Sequence, residues 1–234
     1  MLERVLRRSV TAFFRYAESR LLVVLAALAF GALAFLKFAS EVSEGDTLAF
    51  DRAILLSLRT PDQLAMPVGP SWLHQSMLQI TALGGGAVLT LVTAGVAGYL
   101  LVTKRTSTAL FVVVAVSGGA ILGSILKSVF DRPRPSVVPH LIDVNSLSFP
   151  SGHAMNSAVA YLTLAALLAQ SEPSGRVRIY LVSLAATVSV LVGISRVYLG
   201  VHWPTDVIAG WCVGATWAAL CSMVAHRVLN HRAR

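Results

Sequence analysis

The sequence predicts an all-α fold, an integral membrane bundle of six transmembrane helices. The first observation is composition: 56% of the 234 residues are hydrophobic and only 13% are charged, whereas about a quarter of the residues of a soluble domain are charged. The second is that charge-free runs of roughly 20 residues, the helix length that crosses about 30 Å of hydrocarbon, recur along the chain. Helices are required because an open strand would leave backbone N–H and C=O groups unpaired in lipid.

The six predicted spans are residues 21–39, 77–103, 106–126, 152–171, 179–195 and 207–225. Lys37 is the one charge that interrupts them, and its long side chain can reach the interface from the end of the first span. Together the spans define one membrane domain over residues 21–226. Disordered, collagen-like, coiled-coil and disulfide-rich secreted classes are excluded by the same composition.

Both ends of the chain are basic. Residues 1–20 space their apolar side chains at helical intervals, apart from the arginines, which predicts an amphipathic helix on an anionic membrane surface; a plain solvated face is the alternative. The segment also resembles a signal peptide, but the apolar run from residue 21 is longer than a signal core, so we expect a retained helix. Residues 227–234 are expected to form a basic cytoplasmic tail.

Six spans put both termini on one side of the membrane, and the distribution of Lys and Arg predicts which side. The side of the termini holds 12 of the 19 basic residues, namely Arg4, Arg7, Arg8, Arg15, Arg20, Lys104, Arg105, Arg176, Arg178, Arg227, Arg232 and Arg234. We therefore expect cytoplasmic termini in a bacterial inner membrane. The long connections 40–76, 127–151 and 196–206 then lie on the periplasmic or extracellular face, and loops of this kind carry function.

The net charge of +8 does not indicate nucleic-acid binding, because most basic residues flank apolar runs. Cys212 and Cys221 lie in one apolar run without the spacing of a disulfide framework or a zinc site. Residues 47–60 are typical of a short helix along the outer interface. The glycines at 84–86 favour close helix packing over a phosphate-binding loop, because no Lys-Ser/Thr pair follows them.

Polar residues gather at the outer ends of the spans in three places. These are the stretch from Lys127 to Pro135, the sequence Pro150-Ser151-Gly152-His153, and the stretch from Ser195 to Asp206. Polar groups at membrane depth are costly, so they are functional candidates. Lys127, Arg134 and Arg196 would repel one another without an anion, and such cations bind phosphate well. Ser151 and Gly152 open a helix whose free N–H groups can hold the same anion. The alternative is that the three cations anchor the protein to lipid headgroups.

Two histidines complete this group. His202 and Asp206 are four residues apart, which places them on one face if the stretch is helical, although Pro204 makes the local geometry uncertain. An aspartate bonded to one imidazole nitrogen raises the basicity of the other, as a nucleophile requires. His153, from another loop, is then available as the acid. Phosphoryl transfer without a metal needs these two roles and surrounding positive charge.

The pattern Lys127-x6-Arg134-Pro135, Pro150-Ser151-Gly152-His153 and Ser195-Arg196-x5-His202-x3-Asp206 resembles the three-part signature of the type 2 phosphatidic acid phosphatases. The resemblance implies that His202 is the nucleophile, that Asp206 orients it, and that His153 protonates the leaving group. It further implies phosphate contacts from Lys127, Arg134, Ser151, the Gly152 backbone and Arg196, and catalysis without a metal or other cofactor. Loop 136–149 has no decisive substrate marker; it is expected to be a solvated loop, and the alternative is that its His140 and Asp143 shape specificity.

The leading hypothesis is an integral-membrane phosphatase acting on a lipid phosphate or lipid pyrophosphate, with no nucleic-acid partner. A phosphotransferase that passes phosphate to a lipid or sugar acceptor has the same signature and stays open. A transporter or channel is less favoured, because the cytoplasmic half of every span is apolar and offers no conduction path. The motifs bind only phosphate, so polyprenyl pyrophosphate, phosphatidylglycerophosphate, phosphatidic acid, diacylglycerol pyrophosphate and lipid A remain alternatives, and the oligomeric state is undetermined.

Overall fold

The computed structural model describes residues 25, 26 and 28–231, with side chains described through residue 225. The helices are α1 (residues 28–44), α2 (Leu48–Ser57), α3 (Ser71–Ala82), α4 (Gly86–Val102), α5 (Thr106–Phe130), α6 (Gly152–Ser171), α7 (Gly175–Tyr198) and α8 (Pro204–His231). The predicted all-α class is confirmed. The amphipathic helix predicted over residues 1–20 lies outside the described residues, and α8 continues into the predicted basic tail as far as His231.

Four of the predicted spans are single helices long and apolar enough to cross a membrane: α5, α6, α7 and the segment Pro204–Ala225 of α8. The second predicted span consists of two helices, because α3 and α4 meet at an angle of 49°. Counted as one, this bent pair brings the described residues to five spans. The remaining predicted span, residues 21–39, begins outside the described residues and continues into α1.

Glycines explain the break between α3 and α4. A Cβ added to Gly84 would lie 2.4 Å from Cγ1 of Val192 on α7 and 3.0 Å from the carbonyl oxygen of His153 on α6. The junction therefore approaches two other helices more closely than a side chain permits. The close packing predicted for the glycines at 84–86 is present at Gly84 and absent at Gly86, and it occurs at a break between helices and not inside a continuous span.

Helix α6 forms the centre of the bundle and packs against α5, α7 and α8. Glycines on α8 allow α6 and α8 to approach closely. A Cβ added to Gly210 would lie 2.8 Å from the carbonyl oxygen of Ser151, and one added to Gly214 would lie 2.6 Å from the carbonyl oxygen of Met155. Close backbone approach of this kind replaces the hydrophobic drive that is missing between helices in lipid. The outer face of α5 is apolar and exposed at Leu110, Ile121 and Val129, as a lipid-facing surface requires.

The connection after α1 contains the short helix predicted within residues 47–60, here α2, and a small hairpin that the sequence did not indicate. Its strands, β1 (Arg59–Thr60) and β2 (Gln63–Pro67), pair antiparallel. Helix α2 buries Asp51 and Leu55 completely against the bundle. It thereby brings a carboxylate to the end of the bundle where the three polar clusters lie.

Candidate active site

The three predicted clusters meet at one end of the bundle. Lys127 lies in the last turn of α5, Gly152 begins α6, and a Cβ on that glycine would lie 3.5 Å from Cε of Lys127. The backbone N–H of Ser151 donates to the carbonyl oxygen of Asp206 at 2.9 Å, which ties the start of α6 to the start of α8. Arg134 contacts His202. All eight predicted site residues therefore belong to one end of the molecule.

His202 lies in the five-residue connection between α7 and α8 and is 1% exposed. Its Nδ1 lies 3.4 Å from Oδ2 of Asp206, and its Nε2 lies 3.3 Å from Nη1 of Arg134. A guanidinium can only donate, so Nε2 accepts and Nδ1 carries the proton toward the carboxylate. The predicted pairing of His202 with Asp206 is present, and the lone pair of Nε2 faces the cations.

The imidazole of His202 is neutral. Burial lowers its pKa from 6.5 to about 3; Asp206 opposes this shift, and the positive charges of Arg134 and Arg196 add to it. A neutral ring keeps a lone pair on Nε2 for attack. The same ring can accept a charged phosphoryl group because the cations are already in place.

Arg134 is held by hydrogen bonds to two other segments of the chain. Its Nε donates to the carbonyl oxygen of Ser146 at 2.6 Å and its Nη1 to that of Val201 at 2.5 Å. The ammonium of Lys127 donates to the carbonyl oxygen of Leu147. The acceptors of these bonds are uncharged backbone carbonyls. They do not neutralise the positive charges of Arg134 and Lys127, which can therefore interact with an anion.

Two buried polar atoms of the site have no protein partner in the part of the chain that the structure describes: the hydroxyl of Ser151 and Nε of Arg196. Ser151 is fully buried and Arg196 is 2% exposed. An unpaired buried donor costs about 1–3 kcal/mol, so such groups point to a ligand. Nη1 of the same arginine donates to Oγ1 of Thr81 at 3.0 Å. Both orphaned donors come from residues predicted to hold phosphate.

His153 occupies the first turn of α6, beside the glycine break. Its Nε2 would lie 3.8 Å from a Cβ on Gly85, and its side chain interacts electrostatically with Arg196, His202, Arg134 and Lys127. The ring therefore lies in the positive field of these cations without belonging to the His202–Asp206 pair.

Four polar residues at the site were not predicted: Ser148, Arg132, Asp51 and Thr81. Ser148 donates to Oδ2 of Asp206 at 2.5 Å. Arg132 forms ion pairs with Asp206 and Asp51. The sequence offered one signal for Asp51, an acid that shares its helix face with Leu48 and Leu55. Ser148 and Thr81 had none, because single hydroxyl residues in loops and spans are common.

The remaining candidates lie outside the pocket. His140 and Asp143 are exposed, and Nε2 of His140 is 2.7 Å from the carbonyl oxygen of Pro135, as expected of a solvated loop. Asp131, the one local carboxylate near the cations in sequence, is exposed and ends α5 with a φ of 44°. Within residues 28–225, no group of three or more His, Cys, Asp or Glu side chains is arranged to hold a metal.

A helical membrane bundle that gathers Lys127, Arg134 and Arg196 around a buried histidine at one end is typical of one class, the integral-membrane phosphatases. Comparison with known proteins gives the family. The PAP2 superfamily profile matches residues 107–229, which span all three motifs. The chain belongs to the PAP2 superfamily, and it is a membrane phosphatase of the PAP2 type.

Individual relatives agree with this assignment. Phosphatidylglycerophosphatase B of Bacillus subtilis is 32% identical over 78% of this chain and 86% of its own length. Undecaprenyl-diphosphatase of Sulfolobus acidocaldarius is 36% identical over 55% of this chain and 60% of its own length. The crystal structure of a transmembrane PAP2-type phosphatidylglycerolphosphate phosphatase from Bacillus subtilis matches with a TM-score of 0.77 at 29% identity, covering 86% of this chain and 96% of that one.

Proposed function

We propose that this protein hydrolyses the phosphomonoester or pyrophosphate of a membrane lipid through a phosphohistidine at His202, without a metal ion. The observation that carries the proposal is the orientation of His202. Its Nδ1 faces Asp206, while its unprotonated Nε2 faces Arg134 and the other cations. A phosphate held by those cations brings its phosphorus atom to the nitrogen that has a free lone pair.

In the first half of the reaction, the lone pair of His202 Nε2 forms a bond to phosphorus as the bond from phosphorus to the leaving oxygen breaks. The electron pair of the broken bond stays on that oxygen, which takes a proton from His153, whose protonated form is stabilised by the negative charge of the bound phosphate. Asp206 stabilises the positive charge that develops on the ring of His202. The equatorial oxygens of the transition state are bound by the side chains of Lys127, Arg134, Arg196 and Ser151 and by the backbone N–H of Gly152.

In the second half, water attacks the phosphorus of the phosphohistidine. His153, now neutral, takes a proton from this water, and the N–P bond breaks with its electron pair returning to Nε2. Inorganic phosphate leaves and both histidines regain their starting states. The cycle consumes one water and needs no other reactant.

The substrate is proposed to be a lipid phosphate or lipid pyrophosphate. Support comes from the location of the site at the ends of apolar helices and from the names of the relatives, which are a phosphatidylglycerophosphatase and an undecaprenyl-diphosphatase. Phosphatidylglycerophosphate is the first candidate, because that relative is matched over 86% of its length. We further propose that the site faces the periplasm or exterior of a bacterial inner membrane, since 12 of the 19 Lys and Arg residues lie on the side of the termini.

A panel of lipids tests the function with the full-length protein purified in detergent. Phosphate release is measured from phosphatidylglycerophosphate, phosphatidic acid, diacylglycerol pyrophosphate, undecaprenyl pyrophosphate and lipid A, each with EDTA and with Mg²⁺. We expect release from at least one lipid, equal under both conditions, and none from His202→Ala. His140→Ala is the matched control and should keep full activity. Failure of every lipid, or activity that EDTA removes and Mg²⁺ restores, would contradict the proposal.

A further inference from the structure

A buried ion network lies behind the His202–Asp206 pair. Arg132 is 7% exposed and bridges two fully buried carboxylates. Its Nη1 lies 2.5 Å from Oδ1 of Asp206, and its Nη2 lies 2.9 Å from Oδ2 of Asp51. The planar fork of an arginine can reach two carboxylates in fixed directions, which the ammonium of a lysine cannot do.

Asp51 is tied to the start of α8 as well. Its Oδ1 accepts from the backbone N–H of Thr205 at 3.0 Å, and its Oδ2 accepts from the hydroxyl of the same threonine at 2.7 Å. Nη1 of Arg132 also donates to that hydroxyl at 2.9 Å. Helix α2 is thereby joined to the first turn of the helix that carries Asp206.

The two oxygens of Asp206 have separate sets of partners. Oδ2 accepts from Ser148 at 2.5 Å and from the backbone N–H of Trp203 at 2.9 Å, and it lies 3.4 Å from Nδ1 of His202. Oδ1 is bound by Arg132. The guanidinium of Arg132 also lies over the Trp203 ring, 5.3 Å from its centre, in a cation–π contact.

We propose that Arg132 and Asp51 are positioning residues of the catalytic centre: Arg132 holds Oδ1 of Asp206 so that Oδ2 stays directed at His202, and Asp51 holds Arg132. The proposal rests on the proposed function, in which His202 is the nucleophile. Neither residue touches the substrate. Loss of Arg132 frees the carboxylate to rotate, and a histidine no longer oriented by its aspartate attacks phosphorus slowly.

A variant that keeps the net charge of the network can separate the positioning role of Arg132 from its contribution to stability. Asp51, Arg132 and Asp206 together carry one net negative charge. Arg132→Gln leaves two buried carboxylates without their cation, which is costly for folding. The double variant Asp51→Asn with Arg132→Gln removes one charge of each sign and keeps the net charge at its original value. If the network serves stability alone, the double variant should regain both stability and activity. If Arg132 positions Oδ1 of Asp206, the double variant should regain stability but not activity.

The experiment uses full-length protein in detergent and measures kcat, KM and the thermal unfolding midpoint for Arg132→Lys, Arg132→Gln, Asp51→Asn and the double variant. Arg52→Lys, at an exposed site on the same helix, is the matched control. We expect the double variant to unfold closer to wild type than Arg132→Gln does. Its kcat should stay at least about tenfold lower with KM unchanged, as expected when reacting groups are displaced. Arg132→Lys should show the same split between kcat and KM.

Wild-type kcat in Arg132→Lys or in the folded double variant would overturn the proposal, and so would a fall in kcat that only follows the loss of folded protein. If none of the Arg132 variants folds, the network serves stability alone and the proposal is likewise wrong. Failure of the proposed function is distinguishable, because the wild-type protein would then release no phosphate from any lipid of the panel.

Discussion

Nη1 of Arg134 lies 3.3 Å from Nε2 of His202, and the same atom donates to the carbonyl oxygen of the preceding residue, Val201, at 2.5 Å. One guanidinium is thus bound to the loop that carries His202. In the proposed mechanism, it couples phosphate binding to attack by that histidine. The predictions below follow from this arrangement and from the packing around it.

Vanadate should inhibit competitively, since five-coordinate vanadium on His202 resembles the transition state that the pocket is built to bind. Arg134→Ala and Arg196→Ala should each lower kcat/KM by about 100-fold, the typical loss for one donor to developing charge, and weaken vanadate inhibition in parallel. Inhibition constants and turnover are measured on the same preparations. Lower turnover with unchanged vanadate affinity would show that these arginines do not stabilise the transition state.

The rate lost on replacement of His153 should depend on the leaving group of the substrate. A lipid monophosphate leaves as an alkoxide that needs a proton, whereas nitrophenyl phosphate leaves as a stable anion. In single-turnover measurements of phosphoenzyme formation, His153→Ala should therefore lose roughly 100-fold or more with the lipid and far less with the aryl substrate. His202→Ala should abolish both. Equal losses with both substrates in His153→Ala would mean that His153 positions phosphate and donates no proton.

The break between α3 and α4 should not tolerate a side chain at Gly84 but should tolerate one at Gly86. A methyl group at Gly84 meets Cγ1 of Val192 at 2.4 Å and the backbone of His153 at 3.0 Å, whereas one at Gly86 meets nothing within 4 Å. Gly84→Ala should lower the free energy of unfolding by about 1–3 kcal/mol and reduce kcat by displacing His153. Gly86→Ala is the control. Equal thermal midpoints and activities for the two variants would contradict this packing.

The orientation in the membrane is testable with impermeant thiol reagents on intact cells. Single cysteines at Thr106 and Leu141, in a background that lacks Cys212 and Cys221, lie on opposite predicted sides. Position 141 should be labelled without permeabilisation and position 106 only after it. Labelling of position 106 but not 141 in intact cells would reverse the proposed topology.

The candidate site was largely predictable because its chemistry is concentrated in short motifs. Lys127, Arg134, His153, Arg196 and His202 are costly at the ends of apolar helices, so their occurrence there indicated a shared function before any contact was known. The spacing of His202 and Asp206 also predicted their pairing. Pro204, which made the local geometry uncertain, begins α8 and leaves Asp206 in its first turn.

The residues that were missed act over long distances in the sequence. Asp51 is 81 residues from Arg132 and 154 from Thr205, and no local pattern encodes such pairings. The break between α3 and α4 was missed for a related reason. Residues 77–103 carry no charge that would mark a boundary, and Gly84 interrupts the helix because α6 and α7 pack against it. Composition predicts that a segment lies in the membrane, but tertiary packing decides where it bends.

A covalent intermediate on His202 is the central claim, and rapid chemical quench tests it most directly. Enzyme mixed with labelled lipid phosphate is stopped within one turnover and assayed for protein-bound phosphate. We expect an acid-labile, base-stable phosphoprotein in wild type and in His140→Ala, and none in His202→Ala. Release of inorganic phosphate by the wild type with no phosphoprotein at any time, or an equal amount of phosphoprotein in His202→Ala, would contradict the mechanism.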